Sequence, residues 1–267
     1  MPASVPGMGR GLRVVYGVNP VRELLRARVE GLSELWLAEG SARGAVFGDL
    51  DRMARAAGAK VRRAPRPRLD RLAGTDRHQG VVAVVADFRY AEIEDLLEAA
   101  RARGAPPLLV VLDGVEDPHH LGAVIRSALA LGAHGVVIPR DRAVGVTPAA
   151  AKASAGAVER LPVARVTNLA RALESLKEAG LWTVALSADG DRPLGELDLQ
   201  GPTALVLGSE GEGLRPLVRR ACDRVARIPM TGEIDSLSVS AAASVALYEA
   251  ARQRGSGTAQ PLADPRA

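Results

Sequence analysis

Leu205-Val206-Leu207-Gly208-Ser209-Glu210-Gly211-Glu212-Gly213 is the stretch around which this chain is organised. An apolar run ends in a glycine-rich acidic loop. Downstream stand Ala226-Arg227-Ile228-Pro229-Met230, then Ser236-Leu237-Ser238-Val239-Ser240, then an alanine-rich segment closing at Arg252. The pattern predicts strand, tight loop, short strand, turn and helix. Glycine permits positive φ and lets a backbone approach a ligand closely. A loop leaving a buried strand is where α/β proteins place ligands. Glu210 and Glu212 repel phosphate, so a ligand with positive charge, or with hydroxyls and amines, suits the loop better. The same residues also fit an acidic surface turn.

Upstream lies Val110-Val111-Leu112-Asp113-Gly114-Val115-Glu116-Asp117-Pro118-His119-His120-Leu121-Gly122-Ala123-Val124-Ile125-Arg126. It combines a strand, an Asp-Pro-His segment and an arginine. With the glycine loop, Ile228-Pro229-Met230 and Ser236-Leu237-Ser238, it resembles the three ordered motifs of the SpoU or TrmH family. These are the SPOUT-class RNA ribose 2'-O-methyltransferases. The resemblance implies an α/β fold with a parallel sheet and a deep C-terminal trefoil knot, Leu207 to about Leu247 passing through an earlier loop. Sequence pattern alone implies only an ordinary open α/β sheet, because knots break the usual connection rules.

The resemblance also implies chemistry. The reaction expected is S-adenosyl-L-methionine-dependent 2'-O-methylation of a ribose, with a guanosine of 23S rRNA as target. Gly208, Ser209, Gly211, Ile228, Pro229, Met230 and Leu237 are expected at the cofactor. Arg126, Glu210, Ser236, His120 and Ser238 are expected at the reacting centre. A guanidinium is a poor proton acceptor at neutral pH. Arg126 is therefore expected to hold a phosphate and stabilise developing negative charge, with Glu210 positioning it or taking a proton. The family pattern has Asn where this chain has His120, and Asn again where it has Ser238. Both replacements keep hydrogen bonding but change its geometry. His120 also offers an imidazole base.

The N-terminal part reads as an αβ unit. Strands are predicted at Val14–Tyr16, Ser33–Ala38, Lys60–Ala64 and Val81–Ala86. Helices are predicted after an Asn19 cap and at Phe47–Ala57 and Arg68–Leu72. Arg22, Arg26 and Arg28 form a basic face on the first helix. Arg62, Arg63, Arg66 and Arg68 form the densest basic cluster, suited to gripping phosphates. The resemblance makes this unit a ribosomal-protein-like RNA-binding domain. The boundaries expected are a tail over 1–13, an RNA substrate-binding domain over 14–88, a linker and first helix over 89–105, a catalytic domain over 106–254 and a tail over 255–267. Within the catalytic part, a helix is expected at Leu121–Leu131, a small-residue helix at Pro148–Ala155 and a short strand at Leu161–Val163.

Bulk properties narrow the classes. The 267 residues are 47% hydrophobic, enough for a core, but only 3% aromatic, so base stacking on aromatic platforms is not expected. Lys and Arg total 35 against 31 acidic residues, a mild excess compatible with a polyanionic partner such as rRNA or a pre-ribosomal particle. Cys222 is the sole cysteine, which precludes an internal disulfide, fits a reducing cytoplasm and reads as an inert buried thiol. No apolar run reaches the roughly 20 residues needed to span a bilayer. His119 and His120 are adjacent and do not converge, so no metal site is expected. No G-x-G-x-x-G follows an early strand, which argues against a dinucleotide-dependent oxidoreductase. The alanine-rich last helix suits a homodimer face or ordinary core packing. A tRNA target, a resistance-type rRNA site and a non-catalytic RNA-binding or ribosome-assembly protein remain as alternatives.

Overall fold

The computed structural model describes residues 11–27, 30–40, 44–232 and 236–255. Apart from Gly11–Arg13 and Gly255, the expected tails lie outside the described residues, as does Arg28. The chain divides into two compact units. One comprises the residues up to Arg89 with Val146–Arg160; the other comprises Tyr90–Gly145 and Leu161 onward.

The first unit runs β1 (Leu12–Tyr16), α1 (Val18–Arg26), β2 (Glu34–Ala38), α2 (Gly44–Ala56), β3 (Lys60–Ala64), α3 (Arg66–Ala73) and β4 (Val81–Ala86). Its sheet has the order β1-β4-β2-β3, with only β2 and β3 parallel. Val81, Val82, Ala83 and Val85 are fully buried, as a continuous apolar strand covered on both faces must be. Helix α1 starts at Val18, ahead of the expected Asn19 cap. Gly17 takes φ 98°, and the Gln79 side-chain oxygen accepts from the Val18 amide at 3.1 Å. A cap supplied from 61 positions away leaves no local signal.

The second unit runs α4 (Ile93–Ala102), β5 (Leu108–Asp113), α5 (Pro118–Ala130) and β6 (Gly135–Pro139). The chain then makes α6 (Pro148–Ala153), which packs in the first unit, and returns with β7 (Val163–Val166) and α7 (Leu169–Glu178). It ends β8 (Trp182–Leu186), β9 (Arg192–Pro193), β10 (Thr203–Gly208), α8 (Pro216–Ala221), β11 (Arg224–Arg227) and α9 (Val239–Gln253). The sheet order is β7-β6-β5-β10-β8-β11-β9, and every pairing is parallel.

Alternation along the strands assigns the two faces. Leu109, Val111, Val137, Ala204 and Val206 join a core with α4, α7 and α8. Their neighbours Val110, Leu112, Val136 and Leu205 are also fully buried and, by the period of two, point to the opposite face. There α9 packs on α5 and β10. Each such Leu or Val contributes roughly 1.5–3 kcal/mol when withdrawn from water.

The compact units and the expected domain limits divide the chain differently: α6, inside the span expected as the catalytic domain, packs on β1 and α1. Small alanines carry no sign of which core they enter. Two strand limits need correction. The strand near Leu161 begins at Val163, because Pro162 has no N–H to donate. The strand expected at Ala226–Met230 spans Arg224–Arg227, leaving Ile228, Pro229 and Met230 beyond its end.

Helix α5 begins at Pro118, three residues before the apolar periodicity starts, because Asp117 accepts from the His119 amide at 2.7 Å. Proline at the first helical position needs no partner for its missing N–H.

Cys222 sits at the end of α8, its Sγ donating to the Val218 carbonyl at 3.3 Å. Burial, aided by the Asp223 carboxylate, pushes the thiol up to about 12. A raised thiol pKa means that the native state disfavours thiolate, so the stability from this group is complete below pH 9 and declines as pH rises towards 12. Alkylation of native protein at pH 8 should run on the order of a thousandfold slower than in urea, in proportion to thiolate. Equal rates measured by mass spectrometry would show an exposed thiol.

Candidate functional site

Strands β5 and β10 lie side by side, and Gly208 is in register with Asp113. Beyond this pair the chains part. From β5 the chain enters α5 and then the β6–β7 side of the sheet; from β10 it turns to α8 and β11 on the other side. Such a divergence at the carboxyl ends of parallel strands opens a crevice. A pocket of about 450 Å³ occupies it, with Asp113, His120, Arg142, Ser209, Glu210 and Arg215 among its lining.

Gly208 admits no side chain, because a Cβ would run into the backbone of Gly213 and Leu214. Ser209 and Gly213 exchange backbone hydrogen bonds of 3.2 and 3.0 Å. Between them Gly211 takes φ 86°, and Gly213 itself takes 68°. These left-handed conformations are the physical reason for glycine in the turn. The turn places Glu210 at its tip, with the side chain about half exposed.

Glu210 Oε1 lies 3.1 Å from His120 Nε2 and accepts from the Val239 amide at 3.2 Å. His120 Nδ1 lies 3.2 Å from Ser240 Oγ, which is 3.2 Å from Ser238 Oγ. Ser238 caps α9 by accepting from the Ala241 amide at 3.3 Å. His120 and Ser238, which both depart from the family pattern, therefore share one hydrogen-bonded chain through Ser240. If Nε2–H donates to Glu210, Nδ1 is the lone-pair nitrogen that accepts from the Ser240 hydroxyl.

Asp113 is 1% exposed, yet it carries a carboxylate. Arg215 answers it with its backbone N–H at 2.9 Å, Nε at 2.7 Å and Nη2 at 2.6 Å. Sequence reading assigned no role to Asp113, Arg215, Arg142 or Ser240. The available signal was a carboxylate ending an otherwise apolar strand.

Not every expected residue arrives. Arg126 is exposed on α5 and does not line the pocket, and its side chain has no hydrogen bond or ion pair among the described residues. Six residues beyond His120 correspond to about 240° of helical rotation. His120 and Ser127 face α9, the latter bonded to Ser244 at 2.8 Å, so Arg126 projects elsewhere. Glu210 and Arg126 thus do not share this pocket. Ser236 and Leu237 are exposed just before α9, and the neighbouring residues 233–235 lie outside the described set. Ile228, Pro229 and Met230 leave β11 at the same carboxyl edge of the sheet as the glycine turn leaves β10. Met230 and Leu237 are 38% and 40% exposed, apolar surface suited to covering a ring.

In the first unit, the arginine cluster splits. Consecutive strand residues point to opposite faces. Arg62 stacks over Trp36 at 5.3 Å and pairs with Glu34, while Arg63 approaches Asp51 at 3.8 Å on the other side. Arg68 lies over the same Trp36 ring at 5.5 Å. Arg66 is exposed at the start of α3. Two guanidiniums thus lie over one aromatic ring.

Comparisons agree with this architecture. The model of the SpoU rRNA Methylase family matches residues 107–248, and that for RNA 2'-O ribose methyltransferase substrate binding matches 14–91. The putative TrmH family tRNA/rRNA methyltransferase YacO of Bacillus subtilis is 45% identical over 90% of this chain and 95% of its own. The 23S rRNA (guanosine-2'-O-)-methyltransferase RlmB of Xylella fastidiosa is also 45% identical, over 90% of this chain and 96% of its own. The crystal structure of the SpoU methyltransferase AviRb from Streptomyces viridochromogenes, in complex with AdoMet, superposes with TM-score 0.76 at 29% identity, covering 92% of each chain. A glycine turn, an Asp-Pro-His helix start and a serine-rich helix cap meet at one sheet edge, and both family models fit: the chain belongs to the SpoU rRNA methylase family.

Proposed function

We propose that this chain methylates the 2'-hydroxyl of a ribose in RNA, and that the target is a guanosine of 23S rRNA. The observation that carries the reading is the junction of Glu210 with His120 and the first amide of α9. It joins all three motif segments in one pocket. The RNA and nucleoside are those named for the Xylella relative.

S-adenosylmethionine, when bound, supplies an electrophilic methyl on a cationic sulfur. The residues fit it in two respects. Glu116, Asp117, Glu210 and Glu212 surround the pocket with negative charge, which suits a sulfonium and an ammonium group. Gly208, Ser209, Gly211, Ile228, Pro229, Met230 and Leu237 would hold its remainder, with the glycine turn supplying backbone groups and Ile228, Pro229, Met230 and Leu237 apolar contact. Glu210 and His120 then manage the proton. Glu210 holds the imidazole on one side and Ser240 holds it on the other, so the pair accepts the proton that leaves the ribose hydroxyl. Ser238 fixes the start of α9, and Ser236 hydrogen-bonds the hydroxyl or the turn. Arg126, exposed on α5, takes a phosphate of the incoming strand rather than a proton.

Finer features belong to the same reading. The segment from Leu207 to about Leu247 forms a trefoil knot; a crystal structure tracing it unthreaded would remove that claim. The first unit is a ribosomal-protein-like RNA-binding domain. The chain works in the cytoplasm on 23S rRNA or a pre-ribosomal particle. It acts as a homodimer through α9, where Val245 and Tyr248 are 42% and 59% exposed; a single-chain mass in light scattering would reject this.

Mapping ribose methylation across rRNA and tRNA in a deletion strain should show loss at one 23S guanosine. Loss at a tRNA position alone would move the target, and an unchanged map would leave a non-catalytic RNA-binding role. With purified protein, Glu210→Gln and Arg126→Ala should each lower methyl transfer by about a hundredfold or more. Cofactor affinity by titration calorimetry should stay within about threefold for Arg126→Ala and fall for Glu210→Gln, which removes one of the charges around the pocket; wild-type turnover in either variant rejects its role. In the first unit, Arg62→Ala with Arg68→Ala should weaken RNA binding and flatten its salt dependence by about one to two phosphates' worth. Arg63→Ala, on the opposite face, should leave both near wild type, and equal effects would dismiss the Trp36 face as the binding surface.

A further inference from the structure

The pocket between β5 and β10 is lined by more carboxylates than cations. Asp113, Glu116, Asp117, Glu210 and Glu212 face Arg142 and Arg215. Arg215 is committed to Asp113, with Nη2 at 2.6 Å from its carboxylate. Arg142 has no hydrogen-bonded or ion-paired side-chain partner among the described residues and is exposed at the pocket. Its backbone sits at φ 55°, where non-glycine residues are uncommon. The turn it belongs to is tied to the loop after β5, since the Val144 amide donates to the Val115 carbonyl at 2.9 Å. Arg142 is thus held beside the segment that leads into His120.

We infer that Arg142 is the phosphate-holding residue of this pocket, taking the phosphodiester adjacent to the ribose presented to Glu210 and His120. The inference rests on the methyltransferase reading above. Like charge repels an RNA backbone that approaches Glu116, Asp117, Glu210 and Glu212. The approach needs a compensating cation, and Arg142 is the lining cation not already engaged by a carboxylate. A guanidinium also matches a phosphate with two parallel N–H donors. The carboxylate of an amino-acid cofactor is the other anion a guanidinium attracts, and affinity measurements separate the two.

The test uses the full chain with Arg142→Asn and Arg142→Lys. Asparagine tolerates the left-handed backbone better than most residues, so the first variant removes charge without adding strain. The readouts are binding of a labelled 23S rRNA fragment across a salt series, methyl transfer to it, and S-adenosylmethionine affinity by calorimetry. Arg142→Asn should weaken RNA binding about tenfold. It should also reduce the slope of log affinity against log salt by about 0.7–0.9. Cofactor affinity should not change. Arg142→Lys should restore the slope but only part of the affinity. A wild-type slope in Arg142→Asn overturns the inference, and so does a loss confined to cofactor affinity. Absence of methyl transfer by the wild-type chain would instead strike the enzymatic reading, while the binding slope still judges Arg142.

Discussion

A buried carboxylate has to be answered, and in this molecule Arg215 answers Asp113. Asp113 ends β5 at 1% exposure, so its charge has almost no water to solvate it. Removing one partner of such a pair leaves an uncompensated buried charge, a large penalty. Arg215 meets it with three N–H groups, one of them from the backbone. The exit of the glycine turn is thereby fastened to the end of β5. Gly208 fastens the entrance, since the backbone of Gly213 and Leu214 occupies the space of its absent side chain. With both ends held, the tip has little choice about where it carries Glu210. The position of Glu210 follows from a structural ion pair between the end of β5 and the exit of the turn.

The two departures from the family pattern take on a different meaning within this frame. Considered singly, His120 and Ser238 each replace an amide that both donates and accepts. In the fold they are linked, imidazole to Ser240 hydroxyl to Ser238 hydroxyl, with Glu210 at the far end. The imidazole reaches further than an Asn amide and the serine less far, and Ser240 spans the difference. The result is one continuous chain of hydrogen bonds from Glu210 to Ser238.

Much of the sheet was legible, because β3 and β4 carry their limits in plain view. Val81–Ala86 is an unbroken apolar run after a glycine, and its strand has those bounds. The glycine turn was legible for the same reason: positive φ at Gly211 and Gly213 leaves few other residues possible. Contacts between distant positions were not legible. Gln79 caps α1 from 61 residues away, and nothing near Asn19 discloses it. Arg126 shows the opposite failing. The resemblance implies that it joins His120 and Glu210 at the reacting centre, but a helix turns about 100° per residue, and six residues beyond His120 point it away from this pocket. The arginine run of the first unit misled likewise, since alternation along a strand separates Arg62 from Arg63.

The excursion of Val146–Arg160 into the first unit means the chain crosses between the two units three times. Neither unit is a contiguous cassette. A gene segment encoding residues up to Arg89 would lack α6, whose Ala150 and Ala151 are buried. Grafting that segment onto another enzyme would leave bare the surface α6 covers on β1, and truncation from the other side would strand α6 in solvent.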